Sequence, residues 1–195
     1  MSRLMSKKVI ILCLDGCGPE YIRLSHIPFM KSLCKAGVYI EGRSMIPSVT
    51  NVNAVSILTG KYPEEHGITT NYYFDPETGN EVYMETSNFI RVKTLLEFGC
   101  ELGLKTALLT SKDKLRTLLD KGASISFSAE NPPKWIVKAL GSPPPIYSID
   151  IDLWLIKALR ELMLREDPAL IFAMTTDYVM HKYSCLLYTS DAADE

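Results

Sequence analysis

Val9-Ile10-Ile11-Leu12-Cys13-Leu14-Asp15-Gly16 sets six consecutive apolar residues directly before a carboxylate and a glycine. A β-rich apolar run of this length predicts a strand buried on both faces of a parallel sheet. A second run, Ala169-Leu170-Ile171-Phe172-Ala173-Met174-Thr175, ends two residues before Asp177. In open parallel sheets, functional groups gather just past the C-terminal strand ends. Asp15 and Asp177 are thereby expected at one crevice.

Working outward, apolar runs alternate with helical periods. Glu20 to Ala36 reads as a helix with Ile22, Phe29, Met30 and Leu33 inward, Pro28 arguing for a break inside it and Gly37 for its end. Val38–Ile46 reads as the next strand, and Asn51–Leu58 as a short helix closed by Gly60. Asn71–Asp75 and Glu81–Met84 flank Pro76-Glu77-Thr78-Gly79-Asn80, a hairpin signal. Then come a helix over Val92–Leu102, a strand over Lys105–Thr110, a helix over Lys112–Lys121 and a strand over Ser124–Ser128. A short helix at Trp135–Leu140 sits between proline-rich loops, and Ile151–Arg165 carries a 3.6-residue apolar period. This alternation, without internal repeats, predicts an α/β sandwich with a mostly parallel sheet.

A chain of 195 residues suffices for one sizeable α/β domain, not two. Its 47% hydrophobic and 23% charged residues are ordinary for a globular protein. A net charge of −2 gives no basic footprint for nucleic acid, so anion handling falls to a local site. No run of about eighteen apolar residues is present, so no membrane span is read. The Val9–Leu14 run stops at Asp15 without a signal-peptide cleavage site. Cys13, Cys17, Cys34, Cys100 and Cys185 lack paired spacing, which argues reduced thiols in a cytoplasmic enzyme.

Hard carboxylate oxygens at Asp15 and Asp177 suit Zn²⁺, Mn²⁺ or Mg²⁺. His181 follows Asp177 by four residues; on one helical turn the two share a face and offer an oxygen and a nitrogen to one cation. Taken singly, each has a plainer reading, a helix N-cap and a solvated surface histidine. Pro47-Ser48-Val49-Thr50-Asn51-Val52-Asn53-Ala54 places Thr50 between a strand end and a helix. A metal-coordinated hydroxyl there is a nucleophile, and the helix N-terminus receives anions; the plainer reading is N-capping by Ser48, Thr50 or Asn51. Asn71, after His66-Gly67-Ile68-Thr69-Thr70, can donate to a phosphoryl oxygen or merely shape a turn. Lys112 and Lys114, past the Lys105–Thr110 strand, can hold a second anionic group or simply solvate a helix start.

Leu12-Cys13-Leu14-Asp15-Gly16-Cys17-Gly18-Pro19-Glu20-Tyr21, the Pro47–Asn53 segment, Leu58-Thr59-Gly60 and His66-Gly67 together resemble the type I phosphodiesterase branch of the alkaline phosphatase superfamily. Within it, Asn71–Asp75, Thr78–Val82, Thr110–Leu115 and Phe127-Ser128-Ala129-Glu130 are similar to the phosphonoacetate hydrolases, the resemblance running from about Val9 to Ser184. It implies an alkaline phosphatase-like three-layer sandwich, with residues 1–184 forming the N-terminal part of the hydrolase domain. It implies two divalent metal ions, Zn²⁺ by default, with Asp15 and Thr50 on one and Asp177 and His181 on the other. Thr50 would attack phosphorus, Asn71 would steady the transition-state oxygens, and Lys112 and Lys114 would receive the substrate carboxylate. The implied reaction cleaves the C–P bond of phosphonoacetate to acetate and phosphate through a phospho-threonine. Two metals roughly 4 Å apart would clamp the displacement. A nucleotide pyrophosphatase/phosphodiesterase of the same superfamily is the alternative. The implied partner is a small-molecule phosphonate or phosphate ester, with no nucleic acid and no membrane, and a homodimer left open at full length.

The sequence also departs from that pattern. Val49, Val52-Asn53-Ala54 and Thr69-Thr70 stand where Phe, Pro-Asn-Asn and Cys-Gly are expected. Members of the resembling family are longer and add an Asp-His pair and a later His, which His26 and His66, lying upstream, do not match. The sheet is therefore expected to be incomplete at the C-terminus. The chain as written is expected to turn over little, and a non-catalytic fragment is the third reading. Residues 185–195 look like translated sequencing-adapter read-through and are set aside as a non-native tail; without them acids fall from 23 to 20 against 21 bases.

Overall fold

The computed structural model describes residues 7–178 and residue 181; the adapter-like tail lies outside them. In chain order the elements are β1 (Val9–Cys13), α1 (Pro19–Leu24), α2 (Pro28–Ala36), α3 (Thr50–Thr59), α4 (Pro63–His66), β2 (Tyr72–Asp75) and β3 (Asn80–Tyr83). They continue with α5 (Leu95–Glu101), β4 (Thr106–Thr110), α6 (Asp113–Leu119), β5 (Ile125–Ser128), α7 (Lys134–Leu140), α8 (Ile149–Glu166) and β6 (Leu170–Met174).

Four strands form one sheet in the order β1-β6-β4-β5, every pairing parallel. Alternation along each strand supplies both faces. Leu108, Phe172 and Met174 pack against Val52 and Leu58 of α3, Leu96 of α5 and Leu118 of α6. Ala107, Leu109, Ile171 and Ala173 pack on the opposite side against Ile136 of α7 and Ile151, Leu155 and Leu162 of α8. Helices cover both faces, giving the three-layer α/β architecture. Each large side chain so buried contributes about 1.5–3 kcal/mol. Local signals agree: Gly60 ends α3 in a left-handed conformation, as its lack of Cβ favours. Thr94 and Glu97 form a reciprocal capping box at the start of α5. Strands β2 and β3 pair antiparallel as the expected hairpin.

Several expectations are corrected. β1 is not buried on both faces: Val9 is 53% and Ile10 43% exposed, because among the described residues only β6 pairs with it. The helix expected from Glu20 to Ala36 is two helices, since Pro28 starts α2 and cannot continue a preceding helix. Phe29 and Leu33 are exposed rather than inward, while Ile22 and Met30 are half-buried. Val38–Ile46 forms no strand. Its residues are β-prone, but no neighbour among the described residues offers ladder partners, and Val38 is 84% exposed. The helix read from Val92 begins at Leu95, because Thr94 serves as its N-cap.

Candidate active site

The tips of β1 and β6 are stitched together. The Thr175 N–H donates to the Cys13 carbonyl at 3.0 Å, and the Asp15 N–H donates to Thr175 Oγ1 at 3.0 Å. The chain then turns through Gly16 at φ +71°. A Cβ added there would stand 2.3 Å from Asp177 Cγ, so only glycine fits against that carboxylate. Asp15 and Asp177, distant in sequence, thus flank one turn as the strand-tip argument predicts.

Thr50 opens α3. The N-cap is Val49, and no side chain caps this helix, so neither Ser48, Thr50 nor Asn51 serves the capping role that was the plainer reading. The Thr50 hydroxyl instead donates to Asp15 Oδ2 at 3.1 Å. The first-turn N–H groups of α3 remain available to an anion. Burial, chiefly, pushes the Asp15 carboxyl above its ordinary range; the Thr50 hydrogen bond opposes this, the Asp177 charge adds to it, and the Lys112 charge counters it.

Two carboxylates beside a hydroxyl, mutually repelling and partly desolvated, form a donor set that a divalent cation would satisfy. The fit covers Asp15, Thr50 and Asp177. Among the described residues, no three His, Cys, Asp or Glu side chains gather closely enough to hold a metal. His181 is turned toward lysine instead: Lys112 Nζ donates to its Nε2 at 3.0 Å. Its ring also lies 4.5 Å from that of Tyr147. Burial first, then the Lys112 charge, depresses the His181 pKa.

Lys112 Nζ also sits 5.0 Å over the Tyr147 ring, and burial, reinforced by Lys114, lowers its pKa. The expected lysine pair is divided, because Lys114 Nζ lies 3.6 Å from Glu85 Oε1. Asn71 anchors the hairpin through its carbonyl, which accepts the Met84 N–H at 2.8 Å. Its Oδ1 is buried with no hydrogen-bond partner among the described residues. That oxygen is therefore uncommitted, and a half-turn about the Cβ–Cγ bond exchanges it with the amide nitrogen.

Sequence reasoning missed three supporting residues. Thr175 fixes Asp15, but a threonine at a strand end carries no signal of such a role. Tyr147 reaches Lys112 and His181 from the loop before α8, and only the fold brings it there. His66 was noted as part of a motif, with no role assigned. Its Nδ1 accepts the Ile68 N–H at 3.1 Å, so its proton resides on Nε2, which donates to Ser56 Oγ at 2.9 Å. This neutral tautomer cannot deprotonate Ser56; it holds the loop that leads to Asn71.

Residues 9–185 match the sequence profile described as type I phosphodiesterase / nucleotide pyrophosphatase. An uncharacterised pyrophosphatase/phosphodiesterase of Schizosaccharomyces pombe is 39% identical over 74 residues, 37% of this chain and 15% of that protein. Human ectonucleotide pyrophosphatase/phosphodiesterase family member 1 is 38% identical over 71 residues, 35% of this chain and 8% of that one. The crystal structure of phosphonoacetate hydrolase from Sinorhizobium meliloti 1021, in complex with phosphonoacetate, matches at a TM-score of 0.82 and 35% identity, over 91% of this chain and 48% of that one. Murine ectonucleotide pyrophosphatase/phosphodiesterase 5, at 15% identity and a TM-score of 0.65, shares the fold over 96% of this chain and 48% of its own. The chain thus spans about half the length of these solved relatives and less of the curated ones. With the family profile matching nearly its whole length, this chain belongs to the type I phosphodiesterase / nucleotide pyrophosphatase family, on an alkaline phosphatase-like fold.

Proposed function

We propose that residues 1–184 form the nucleophile-bearing half of a metal-dependent, cytoplasmic phosphonate hydrolase, and that residues 185–195 play no part in it. The substrate is phosphonoacetate, a small dianion with phosphorus and a carboxylate at its two ends. One observation carries the proposal: the Thr50 hydroxyl, at the first turn of α3 and free of capping duty, donates to Asp15 Oδ2 at 3.1 Å. A hydroxyl so placed is oriented, sits beside carboxylates that favour a cation, and faces helix N–H groups suited to phosphoryl oxygens.

In this reading Thr50 Oγ attacks phosphorus as the C–P bond breaks. The carbon leaves as an enolate-like carboxymethyl anion, which takes a proton to become acetate. Water then hydrolyses the phospho-threonine to phosphate. Asn71 donates to a phosphoryl oxygen, and Lys112 meets the substrate carboxylate, with Lys114 adding charge behind it. Two divalent cations, proposed as Zn²⁺ with Asp15 and Thr50 on one and Asp177 on the other, His181 joining Asp177 once its contact with Lys112 is released, would lower the hydroxyl pKa and neutralise phosphoryl charge.

A second reading, hydrolysis of phosphodiesters or pyrophosphates, is favoured by Lys114, whose ion pair with Glu85 leaves less charge for a carboxylate. In a polypeptide of the relatives' length, Thr50→Ala should lower phosphate release from phosphonoacetate by at least about a thousandfold. Unchanged turnover would remove Thr50 as nucleophile. Lys112→Ala should weaken phosphonoacetate turnover by about a hundredfold and spare bis-nitrophenyl phosphate. Equal loss on both substrates would favour the phosphodiesterase reading.

A further inference from the structure

Asp152 lies in the first turn of α8, where an acid ordinarily faces solvent and complements the helix dipole. Asp150, two residues earlier, does so and is exposed. Asp152 instead turns inward. Its Oδ1 accepts the Thr176 N–H at 3.0 Å and lies 3.5 Å from Ser111 Oγ, which donates to it. Thr176 and Ser111 are almost fully buried, each immediately before a proposed site residue, Asp177 and Lys112. The Ser111 N–H also donates to the Met174 carbonyl at 3.1 Å, so the ends of β4 and β6 meet where the carboxylate arrives. Its helix is fixed there by the fully buried Ile151 and Leu155 in the core layer beneath the sheet.

We infer that Asp152 is a positioning residue: one carboxylate oxygen, presented from a rigid helix, sets Lys112 and Asp177 relative to each other. Its hydrogen bonds run to the Thr176 N–H and the Ser111 hydroxyl. The claim rests on the proposed function for the roles of Lys112 and Asp177, but the hydrogen bonds themselves can be tested independently. Carboxylates that hold the backbone or ligands of a metal site from behind typically contribute about 10–100-fold to affinity or activity. Displacement of a reacting group by about 1 Å can cost about a hundredfold.

The test uses the full chain, with Asp152→Asn and Asp152→Leu variants. Asparagine keeps a carbonyl oxygen for both donors and removes the charge; leucine fills similar space without an acceptor. Amide hydrogen exchange read by NMR should show the Thr176 N–H exchanging about tenfold faster or more in Asp152→Leu. Ile171 and Phe172, within β6, should keep their protection. Zn²⁺ affinity by calorimetry should fall about tenfold or more in Asp152→Leu and stay within about threefold in Asp152→Asn. Unchanged Thr176 exchange in Asp152→Leu overturns the inference. So does a Zn²⁺ affinity that falls equally in both variants, which would assign the effect to charge. Should Asp152→Leu lose protection throughout β6, Asp152→Asn decides: wild-type exchange at Thr176 upholds the geometric role, and loss of it there alone overturns it. If the wild-type chain takes up no Zn²⁺, the metal reading of the site fails, while Thr176 exchange still judges Asp152.

Discussion

Asp15 is held where its charge is unwelcome. Burial and the nearby Asp177 carboxylate disfavour ionisation, an arrangement that suits a cation and costs the folded chain stability. Asp15→Asn keeps an acceptor for the Thr50 hydroxyl and removes the repulsion. It should therefore raise the melting temperature, by a stabilisation of about 1 kcal/mol, while abolishing phosphate release in the relatives' length of chain. A lower melting temperature would show that the charge is not a burden. His66 gives a pH dependence of definite sign. Burial holds its pKa below the usual 6.5, so the unfolded chain takes up the proton first as pH falls. Stability from the neutral ring is fully present above that value and is lost below it. Urea midpoints should drop between about pH 7.5 and 5.5, and drop less in His66→Gln. At this scale the sequence exposed the chemistry-bearing residues but not their partners. Thr50 and Asp15 were legible as types at strand ends; the Lys112–His181 contact and the Thr175 support depend on where loops cross in space.

Elements were legible wherever one segment carries its own instructions. The Gly60 stop of α3 is such a case, whereas the capping box at Thr94 and Glu97, a hydroxyl and a carboxylate three residues apart satisfying two N–H groups, goes unread in a helix started at Val92. Thr94→Ala should cost about 1 kcal/mol, read as a lower denaturant midpoint with an unchanged slope. The apolar runs of β4 and β6 were legible because they are buried on both faces. The Val38–Ile46 segment misled because β-prone residues specify a strand only when another strand accepts their hydrogen bonds. Pro28 marked the break between α1 and α2, yet the side chains of α2 were read as inward from periodicity alone, which cannot say whether a covering layer is present.

Over the whole molecule, the layered α/β architecture followed from alternating runs, and strand order did not. No rule of sequence alone placed β6 between β1 and β4. Among the described residues, the edge of β1 leaves Val9, Ile10 and Leu12 open to solvent, an apolar border of the kind that promotes edge-to-edge association. Light scattering of this chain should show concentration-dependent self-association. Ile10→Lys should suppress it without changing the far-ultraviolet spectrum; persistence of the same particles would place the contact elsewhere.

The pairing of β1 with β6 also sets a timetable. Cys13 and Thr175, joined at those strand tips, stand 162 residues apart along the chain. Contacts of such long range form late, because the loop entropy must be met before they are rewarded. During synthesis Thr50 therefore leaves the ribosome long before Asp177 exists to stand beside Asp15. Nascent chains would lack the turn that brings Asp15 and Asp177 together until β6 arrives, so that closing the β1–β6 junction and pairing the two carboxylates are one event.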